Sequence, residues 1–267
     1  MLLLRSLAFN LAFYVATALL LIVGAVPFLL MKQKTGIDFA RAWGRLCILL
    51  ARWLAGIRLE IRGQENIPEG GAIVAAKHQS AYETFALLPP LSFPTFVLKR
   101  ELTWIPLFGL YTITSGMIHV RRGGGSAALR ALVERAKQEI AKRRQIVIFP
   151  EGTRRAPTAP PDYHYGVARM YKSLDVPVVP VALNSGVYWP RRRFLRYPGT
   201  IVFEFLPPIE PGLDAKTFLT TLEETVESAS ARLLAEAAAG PNPSPIAIEA
   251  LNHLGEQREP AGPSAVQ

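Results

Sequence analysis

The sequence predicts an α/β fold: a mainly parallel central sheet flanked by helices, preceded by an N-terminal hydrophobic helix pair that anchors the chain to a membrane. Short apolar runs of strand length recur between glycines and prolines. One of them, residues 117–120, is followed by an amphipathic stretch and a second apolar run, the pattern of a parallel strand–helix–strand unit. Residues 6–31 are apolar and uncharged, which is long enough to cross a bilayer as a helix.

The 267 residues are enough for one ordinary α/β domain with appendages. We expect membrane-anchoring helices over residues 1–57 and the α/β domain over residues 58–238. Residues 239–267 are rich in proline, alanine and charge, so we expect a mostly disordered tail there.

Composition restricts the classes of partner. The formal net charge of +9 suits an anionic partner such as an acidic membrane surface or a phosphorylated substrate. A nucleic acid would also use this charge, but no recognisable nucleic-acid-binding module is present, so we expect no nucleic-acid partner. The single cysteine excludes a disulfide within the chain. The four histidines are scattered in sequence, and we expect no metal site.

The N-terminal stretch precedes a group of basic residues. Lys32, Lys34, Arg41 and Arg45 follow it, whereas only Arg5 precedes it. The length of the apolar stretch suits a spanning helix, and the positive-inside rule predicts that the rest of the chain lies in the cytosol. A monotopic anchor that enters the bilayer and returns is the alternative. Residues 38–56 predict a second helix, which either lies at the membrane interface or packs as a core helix.

The globular part alternates predicted strands and helices. The expected strands are residues 59–61, 72–76, 95–98, 117–120, 146–149, 176–183 and 201–205, and the expected helices are residues 85–88, 126–144 and 214–238. The last strand alternates enough to predict an edge position. The apolar residues 104–111 are interrupted by proline and glycine, and they suit either the core or a lipid-facing groove.

His78 and Glu83 lie five residues apart, where a predicted strand ends and a helix begins. A carboxylate in this position can hold one imidazole nitrogen while the other faces a substrate, which is how a general base is oriented. The alternative is a histidine at a loop edge, with a glutamate that interacts with the helix dipole. The two residues alone do not separate these interpretations.

Two other polar groups follow predicted strands, Arg122 after residues 117–120 and residues 151–154 after residues 146–149. In a parallel sheet the ligand site lies at the carboxyl ends of the strands. If these strands are parallel neighbours of the strand before His78, all three groups meet at one edge. This convergence favours the catalytic interpretation.

Four segments, in this order, resemble motifs of the glycerolipid acyltransferase family, whose best-known members are 1-acyl-glycerol-3-phosphate acyltransferases. The first is a histidine followed by four residues and a carboxylate, here His78 and Glu83. The second is residues 116–122, a glycine-started strand that ends in arginine. The third, residues 149–154, matches at every position. The fourth is residues 176–181, an apolar strand with an internal proline. The resemblance covers most of the globular part.

The sequence departs from the family pattern at two places. Glu83 stands where the family usually has an aspartate, and glutamate is one methylene longer. Arg121 stands where an acidic residue is common, and the neighbouring His119 replaces an apolar or aromatic residue. We expect the chemistry to be retained, because glutamate keeps the charge and the acceptor atoms that orient the histidine.

The resemblance implies acyl transfer from acyl-CoA or acyl carrier protein to the sn-2 hydroxyl of 1-acyl-glycerol-3-phosphate, giving phosphatidic acid. It implies His78 as general base and Glu83 as its orienting carboxylate. The expected substrate-binding residues are Arg122, Glu151, Gly152, Thr153 and Arg154. The donor is a substrate, so no cofactor is expected.

Two other functions fit the sequence. One is O-acyl transfer to another lysolipid, such as a lyso-aminolipid, and the other is lipid binding without catalysis at a membrane. The resemblance also implies membrane lipids as partners and the cytoplasmic membrane as the location, with the catalytic domain on the cytosolic side. The oligomeric state does not follow from the sequence.

Overall fold

The structure, a computed structural model, describes residues 1–30, 33–121 and 123–258. Strands and helices alternate along the domain, as the apolar runs and amphipathic stretches predict. The strands are β1 Ile57–Arg62, β2 Ala72–Ala76, β3 Pro94–Lys99, β4 Ile118–Val120, β5 Gln145–Ile148, β6 Val178–Leu183 and β7 Gly199–Phe205. The helices are α1 Leu2–Leu30, α2 Gln33–Leu50, α3 Glu83–Ala86, α4 Phe108–Thr114, α5 Gly125–Ala141, α6 Tyr165–Leu174, α7 Ala215–Ala239 and α8 Pro245–Arg258.

The seven strands form one sheet in the order β1-β7-β6-β2-β5-β3-β4. β6, β2, β5, β3 and β4 run parallel to one another. β7 runs antiparallel to β6, and β1 pairs parallel with β7. The predicted α/β class with a mainly parallel sheet and an apolar N-terminal helix is therefore confirmed. The predicted edge position of β7 is wrong, because β1 covers its outer side.

The sheet separates two apolar layers. Alternation along β2 directs Val74 and Ala76 to the layer that contains α1, α2 and α3, and Ile73 and Ala75 to the layer that contains α5, α6 and the first half of α7. All five β2 residues are buried. The strand that leads to His78 therefore lies in the centre of the molecule, covered on both faces, as parallel sheets require.

Helix α1 packs lengthwise against the domain through its few polar residues. The Ser6 hydroxyl accepts a hydrogen bond from the Arg196 amide at 2.9 Å. Asn10 donates to the Phe194 carbonyl at 3.1 Å. Within the N-terminal helix pair, the Thr17 hydroxyl accepts from the Trp43 indole of α2 at 3.1 Å. Further along, the Tyr111 hydroxyl donates to carbonyls of α1 at 3.1 and 3.2 Å. Contact with the domain therefore extends over most of the helix.

The opposite face of α1 is apolar and exposed. Within the described residues, Leu2–Ala25 is the one helical stretch long and apolar enough to cross a membrane, and only 17% of its most apolar window is buried. A core helix of a soluble protein would be mostly buried. The exposed leucines of α1, together with its position beside the domain, indicate that the protein associates with a membrane.

The C-terminal segment contains a helix that the sequence analysis did not anticipate. α7 begins after Asp214, whose carboxylate accepts hydrogen bonds from the amides of Lys216 and Thr217. After it ends, α8 forms within the stretch expected to be mostly disordered. Ala247 and Ala250 of α8 are buried in the apolar layer that also contains α1. Small residues at helical spacing allow this close packing despite the weak apolar periodicity.

Candidate active site

Three loops meet where the central strands end. β5 and β6 are the two neighbours of β2, so residues 77–82, 149–155 and 184–186 follow strands that lie side by side. The Lys77 amide donates to the Val181 carbonyl at 2.9 Å, and the Arg155 amide donates to the His78 carbonyl at 2.8 Å. The predicted convergence of the His78 motif with residues 151–154 therefore follows from direct strand pairing.

Glu83 is buried at the first turn of α3, with its side chain fully inaccessible. Its carboxylate accepts hydrogen bonds from the amides of Gln79 at 3.1 Å and Ser80 at 3.0 and 3.1 Å. It also accepts one from the Ser185 hydroxyl. These donors stabilise a buried negative charge and fix the orientation of the carboxylate.

His78 lies beside this carboxylate. Its Nδ1 is 3.8 Å from Glu83 Oε2, and its side chain is 13% exposed. The imidazole stacks on the Phe149 ring, with the centroids 4.0 Å apart and the planes 17° from parallel. Nδ1 is buried and has no hydrogen-bond partner among the described residues. Nδ1 thus faces the Glu83 carboxylate at a distance longer than a hydrogen bond. Contacts within catalytic sites are often long in this way before substrate binds.

The turn after β6 supplies contacts that sequence reasoning missed. Ser185 donates to Glu83, and the Gly186 amide donates to Gln79 Oε1 at 2.9 Å. Both Ser185 and Gly186 are buried. The sequence showed residues 184–186 only as a turn after an apolar strand. Their role depends on a pairing of β2 with β6 that no local pattern reveals.

Residues 152–154 lie partly exposed at the open end of β5. Gly152 has φ of 60°, a left-handed conformation that other residues rarely adopt. Arg154 is half-buried, and its carbonyl accepts a hydrogen bond from Arg191 Nη1 at 2.7 Å. Burial and then the nearby charge of Arg191 lower the pKa of Arg154, while Glu83 opposes this effect. An anion beside Arg154 would relieve this excess positive charge.

Glu151 has a different environment from the residues that follow it. Its side chain is only 1% exposed, and its Oε1 lies 3.3 Å from Lys77 Nζ. Burial raises the pKa of Glu151, and the Lys77 ammonium opposes that shift. The carboxylate, predicted to bind substrate, therefore faces the interior of the domain in this structure.

Arg122, the remaining predicted substrate-binding residue, lies outside the described residues. The strand that precedes it, β4, is at the edge of the sheet, with β3 between it and β5. The condition for the convergence, that the three strands are neighbours, is therefore met by β2 and β5 but not by β4. The reason is that β3 inserts between β5 and β4, a long-range pairing.

An apolar cavity of about 140 Å³ adjoins the turn of α3 that carries Glu83. Thr17, Leu20 and Leu21 of α1 form part of its wall, and Thr84 and Leu88 lie at the α3 end. Phe108 and Tyr111, from the apolar segment that the sequence left unassigned, also line it. The cavity is thus built jointly by the N-terminal helices and the domain.

Known proteins share both the sequence and the fold. Residues 58–184 match the family model described as Acyltransferase. The chain is 36% identical over 197 residues to the 1-acyl-sn-glycerol-3-phosphate acyltransferase of Pseudomonas aeruginosa, covering 73% of this chain and 76% of that relative. It is 28% identical over 207 residues to the 1-acyl-sn-glycerol-3-phosphate acyltransferase alpha of Mus musculus, covering 75% and 71%.

The crystal structure of the 1-acyl-sn-glycerophosphate (LPA) acyltransferase PlsC from Thermotoga maritima has the same fold. It superimposes with a TM-score of 0.74 and 24% identity, covering 87% of this chain and 98% of that one. These similarities confirm the resemblance indicated by the four sequence motifs. The chain therefore belongs to the Acyltransferase family of enzymes.

Proposed function

We propose that the protein transfers an acyl group from acyl-CoA or acyl carrier protein to the sn-2 hydroxyl of 1-acyl-glycerol-3-phosphate, giving phosphatidic acid. The observation that carries the proposal is the pairing of His78 with a buried, fully hydrogen-bonded Glu83 carboxylate at the open end of the sheet. The named activities of the relatives in Pseudomonas aeruginosa and Mus musculus support the choice of acceptor.

In the proposed mechanism His78 is the general base. Its Nδ1 faces Glu83, so Nε2 is the atom that takes the proton from the acceptor hydroxyl. The oxygen then attacks the thioester carbonyl carbon, the C–S bond breaks, and the departing thiolate recovers the proton from the imidazolium. Glu83 keeps the ring in one tautomer and stabilises its positive charge.

Direct transfer suits this chain better than a covalent acyl-enzyme. The sequence contains no Gly-x-Ser-x-Gly motif, and its one cysteine, Cys47, is buried in α2. Ser185 is close to Glu83, but its hydroxyl donates to that carboxylate and is fully buried. A buried hydroxyl that already donates to a structural partner is a poor nucleophile.

We assign the acceptor phosphate to Arg154, with Gly152, Thr153 and Arg122 as further contacts. A guanidinium offers paired donors in a geometry that matches phosphate. The positive φ of Gly152 and the partial exposure of residues 152–154 leave backbone amides accessible beside it. The acyl chain would occupy the apolar cavity next to α3, since its walls offer apolar side chains over most of their surface.

We propose that the protein is a monotopic protein of the cytoplasmic membrane, with its domain on the cytosolic side. The contacts of α1 with the domain, from Ser6 to Leu21, favour the alternative that the sequence analysis left open over a spanning helix. A helix bound along its length to a charged domain would have to take that domain into the bilayer in order to span it. The exposed leucines would enter one leaflet, and the basic residues would meet anionic headgroups.

The test is acylation of lysophosphatidate by the purified full-length protein in vesicles, with a labelled acyl-CoA or acyl carrier protein. We expect labelled phosphatidic acid, and we expect His78→Ala to lower kcat by roughly a hundred- to ten-thousand-fold while vesicle binding is retained. Monoacylglycerol and a lyso-aminolipid serve as acceptors without phosphate. Near-normal turnover by His78→Ala, or a preference for the acceptors without phosphate, would contradict the proposal.

A further inference from the structure

A buried ionic cluster lies behind the His78 motif. Lys77 Nζ is 2.5 Å from Glu227 Oε1 of α7 and 3.3 Å from Glu151 Oε1. The Tyr163 hydroxyl donates to the same Glu227 oxygen at 2.9 Å. The side chains of Lys77 and Glu151 are each 1% exposed, whereas Glu227 is 27% exposed. The cluster therefore joins the end of β2, the loop after β5 and the middle of α7.

The cluster lies on the opposite face of the sheet from the imidazole. Side chains alternate along an extended chain, so Lys77 continues the row of Ile73 and Ala75, which face α6 and α7. His78 continues the row of Val74 and Ala76, which face the N-terminal helices. Lys77 can thus fix the backbone of its neighbour without approaching the substrate side.

The backbone at His78 is held on both sides by cations that contact Glu151. On one side is Lys77, the residue that precedes His78 and is joined to it by a peptide bond. On the other is Arg155, whose amide donates to the His78 carbonyl at 2.8 Å and whose Nε lies 3.6 Å from Glu151. A shift of the Lys77 ammonium would therefore be transmitted to the strand end that carries the imidazole.

The Lys77 ammonium stays buried at this position only if the carboxylates of Glu151 and Glu227 both contact it. A buried charge is tolerated only when it is paired and hydrogen-bonded. Of the two carboxylates, Glu227 makes the shorter contact with Lys77, and it belongs to a long helix packed through Phe218, Leu222 and Val226. Glu151 belongs to the loop that also carries Arg154. Glu227 is thus the contact that ties Lys77 to a rigid element.

We propose that Glu227 is a positioning residue for acyl transfer, holding Lys77 and, through it, the strand end that presents His78. The inference rests on the proposed function for its assay but concerns a residue outside the substrate site. It also gives Glu151 a supporting role as the second carboxylate that binds Lys77, in place of contact with the acceptor.

The first test compares Glu227→Gln with Glu223→Gln. Glu223 lies one turn earlier on α7, and the charges of Glu227 and Lys77 both act on it, but among the described residues it makes no hydrogen bond to Lys77. We expect Glu227→Gln to lower kcat by about tenfold, since a hydrogen bond between charged groups is lost. The acceptor KM of Glu227→Gln should match that of the wild type. The control Glu223→Gln should match the wild type in its kinetics and in its thermal midpoint.

The conservative variant Glu227→Asp provides a rescue. It keeps the charge on a shorter side chain, and we expect it to recover a substantial part of the kcat lost in Glu227→Gln.

A double variant provides a second test. Lys77→Gln leaves the Glu227 and Glu151 carboxylates without the ammonium that lies between them. Adding Glu227→Gln should therefore restore part of the lost activity, and the effects of the two substitutions should not multiply.

The outcomes separate the two proposals. If the wild type does not acylate lysophosphatidate, the proposed function fails. If the wild type is active and His78→Ala abolishes activity, the inference alone is overturned by any of three results. These are wild-type kcat in Glu227→Gln, an effect on acceptor KM with kcat unchanged, and strictly multiplicative effects in the double variant. If Glu227→Gln does not fold, equal loss of kcat in Glu227→Asp and Glu223→Gln overturns it.

Discussion

At the scale of single residues, Glu83 is one methylene longer than the usual aspartate of the family, and its carboxylate still lies beside His78. The extra length is accommodated at the first turn of α3, where the carboxylate also reaches the amides of Gln79 and Ser80 and the hydroxyl of Ser185. Its Oε2 stays 3.8 Å from the imidazole. The longer side chain is therefore fixed at its end by several donors, and its flexibility is removed.

Ser185→Ala should lower kcat about tenfold with little change in the acceptor KM, because Glu83 loses a charged hydrogen bond that fixes it. The measurement is steady-state kinetics with lysophosphatidate. Ser230→Ala is the matched control, since Ser230 is a buried serine of α7 whose hydroxyl has no hydrogen-bond partner among the described residues. Equal effects of the two substitutions would mean that Ser185 acts only through packing.

The sequence predicts those contacts of the site that join residues close together in the chain. His78 and Glu83 are five residues apart, so a strand-to-helix turn is enough to predict that they meet. Ser185 contacts Glu83 from 102 positions away, and Glu227 contacts Lys77 from 150 positions away. Such contacts depend on the order of the strands and on the packing of α7. Both are set by long-range pairing, which the local apolar periodicity of the sequence does not predict.

At the scale of elements, the strands were predictable because each is a short apolar run bounded by turn residues. Predicted β2 matches the observed Ala72–Ala76, and the closing helix differs by one residue at each end. α4 and α6 were not predicted, since proline and glycine interrupt the first region and the second is short. The strand order was also beyond local patterns, because β3 inserts between β5 and β4.

A second buried ion pair joins the end of α5 to β3 and to the turn before β4. Arg144 is fully buried, and it donates to Glu139 at 2.8 Å, to the Gly116 carbonyl at 3.0 Å and to the Pro94 carbonyl at 2.6 Å. Burial raises the pKa of Glu139, but hydrogen bonds from Lys142 and Arg144 outweigh it, and the net shift is downward. Arg144 thereby links α5, β3 and the turn before β4.

Glu139→Gln should destabilise the protein by about 3–5 kcal/mol at pH 7, because Arg144 is left as a buried charge without its carboxylate. A carboxyl whose pKa is lowered by folding contributes stability above its unfolded pKa and loses that contribution as pH falls through the folded value. The free-energy difference from the wild type should therefore be constant near neutrality and shrink below about pH 4. Urea unfolding at a series of pH values measures it, and a pH-independent difference would contradict the assignment.

At the scale of the whole molecule, one apolar surface and one basic region lie on the side of the sheet that carries α1. Leu7 and Leu11 of α1 are exposed. The arginine-rich residues 191–193 belong to the loop that Ser6 and Asn10 bind through Arg196 and Phe194. Phe194 in the same loop is exposed as well. This combination suits a membrane interface with anionic headgroups.

The double substitution of Leu7→Gln with Leu11→Gln should weaken binding to vesicles at least tenfold, since each leucine contributes about 1.5–3 kcal/mol when it leaves water. Vesicle co-sedimentation of the full chain measures the effect. Tyr165→Gln is the control, because Tyr165 is exposed to a similar degree on α6, against the opposite face of the sheet. Unchanged partition of the double variant would show that α1 is not the membrane-binding surface.

The cavity beside α3 has walls from both halves of the chain, with Thr17, Leu20 and Leu21 contributed by the N-terminal helix. The anchor is consequently not an exchangeable module. Deleting α1 to obtain a soluble enzyme, or replacing it with an unrelated membrane helix, would open one side of this cavity and expose the polar partners of Ser6, Asn10 and Thr17. Changes in α1 are therefore constrained by the shape of the catalytic domain as well as by the bilayer, and the two parts of the chain can diversify only together.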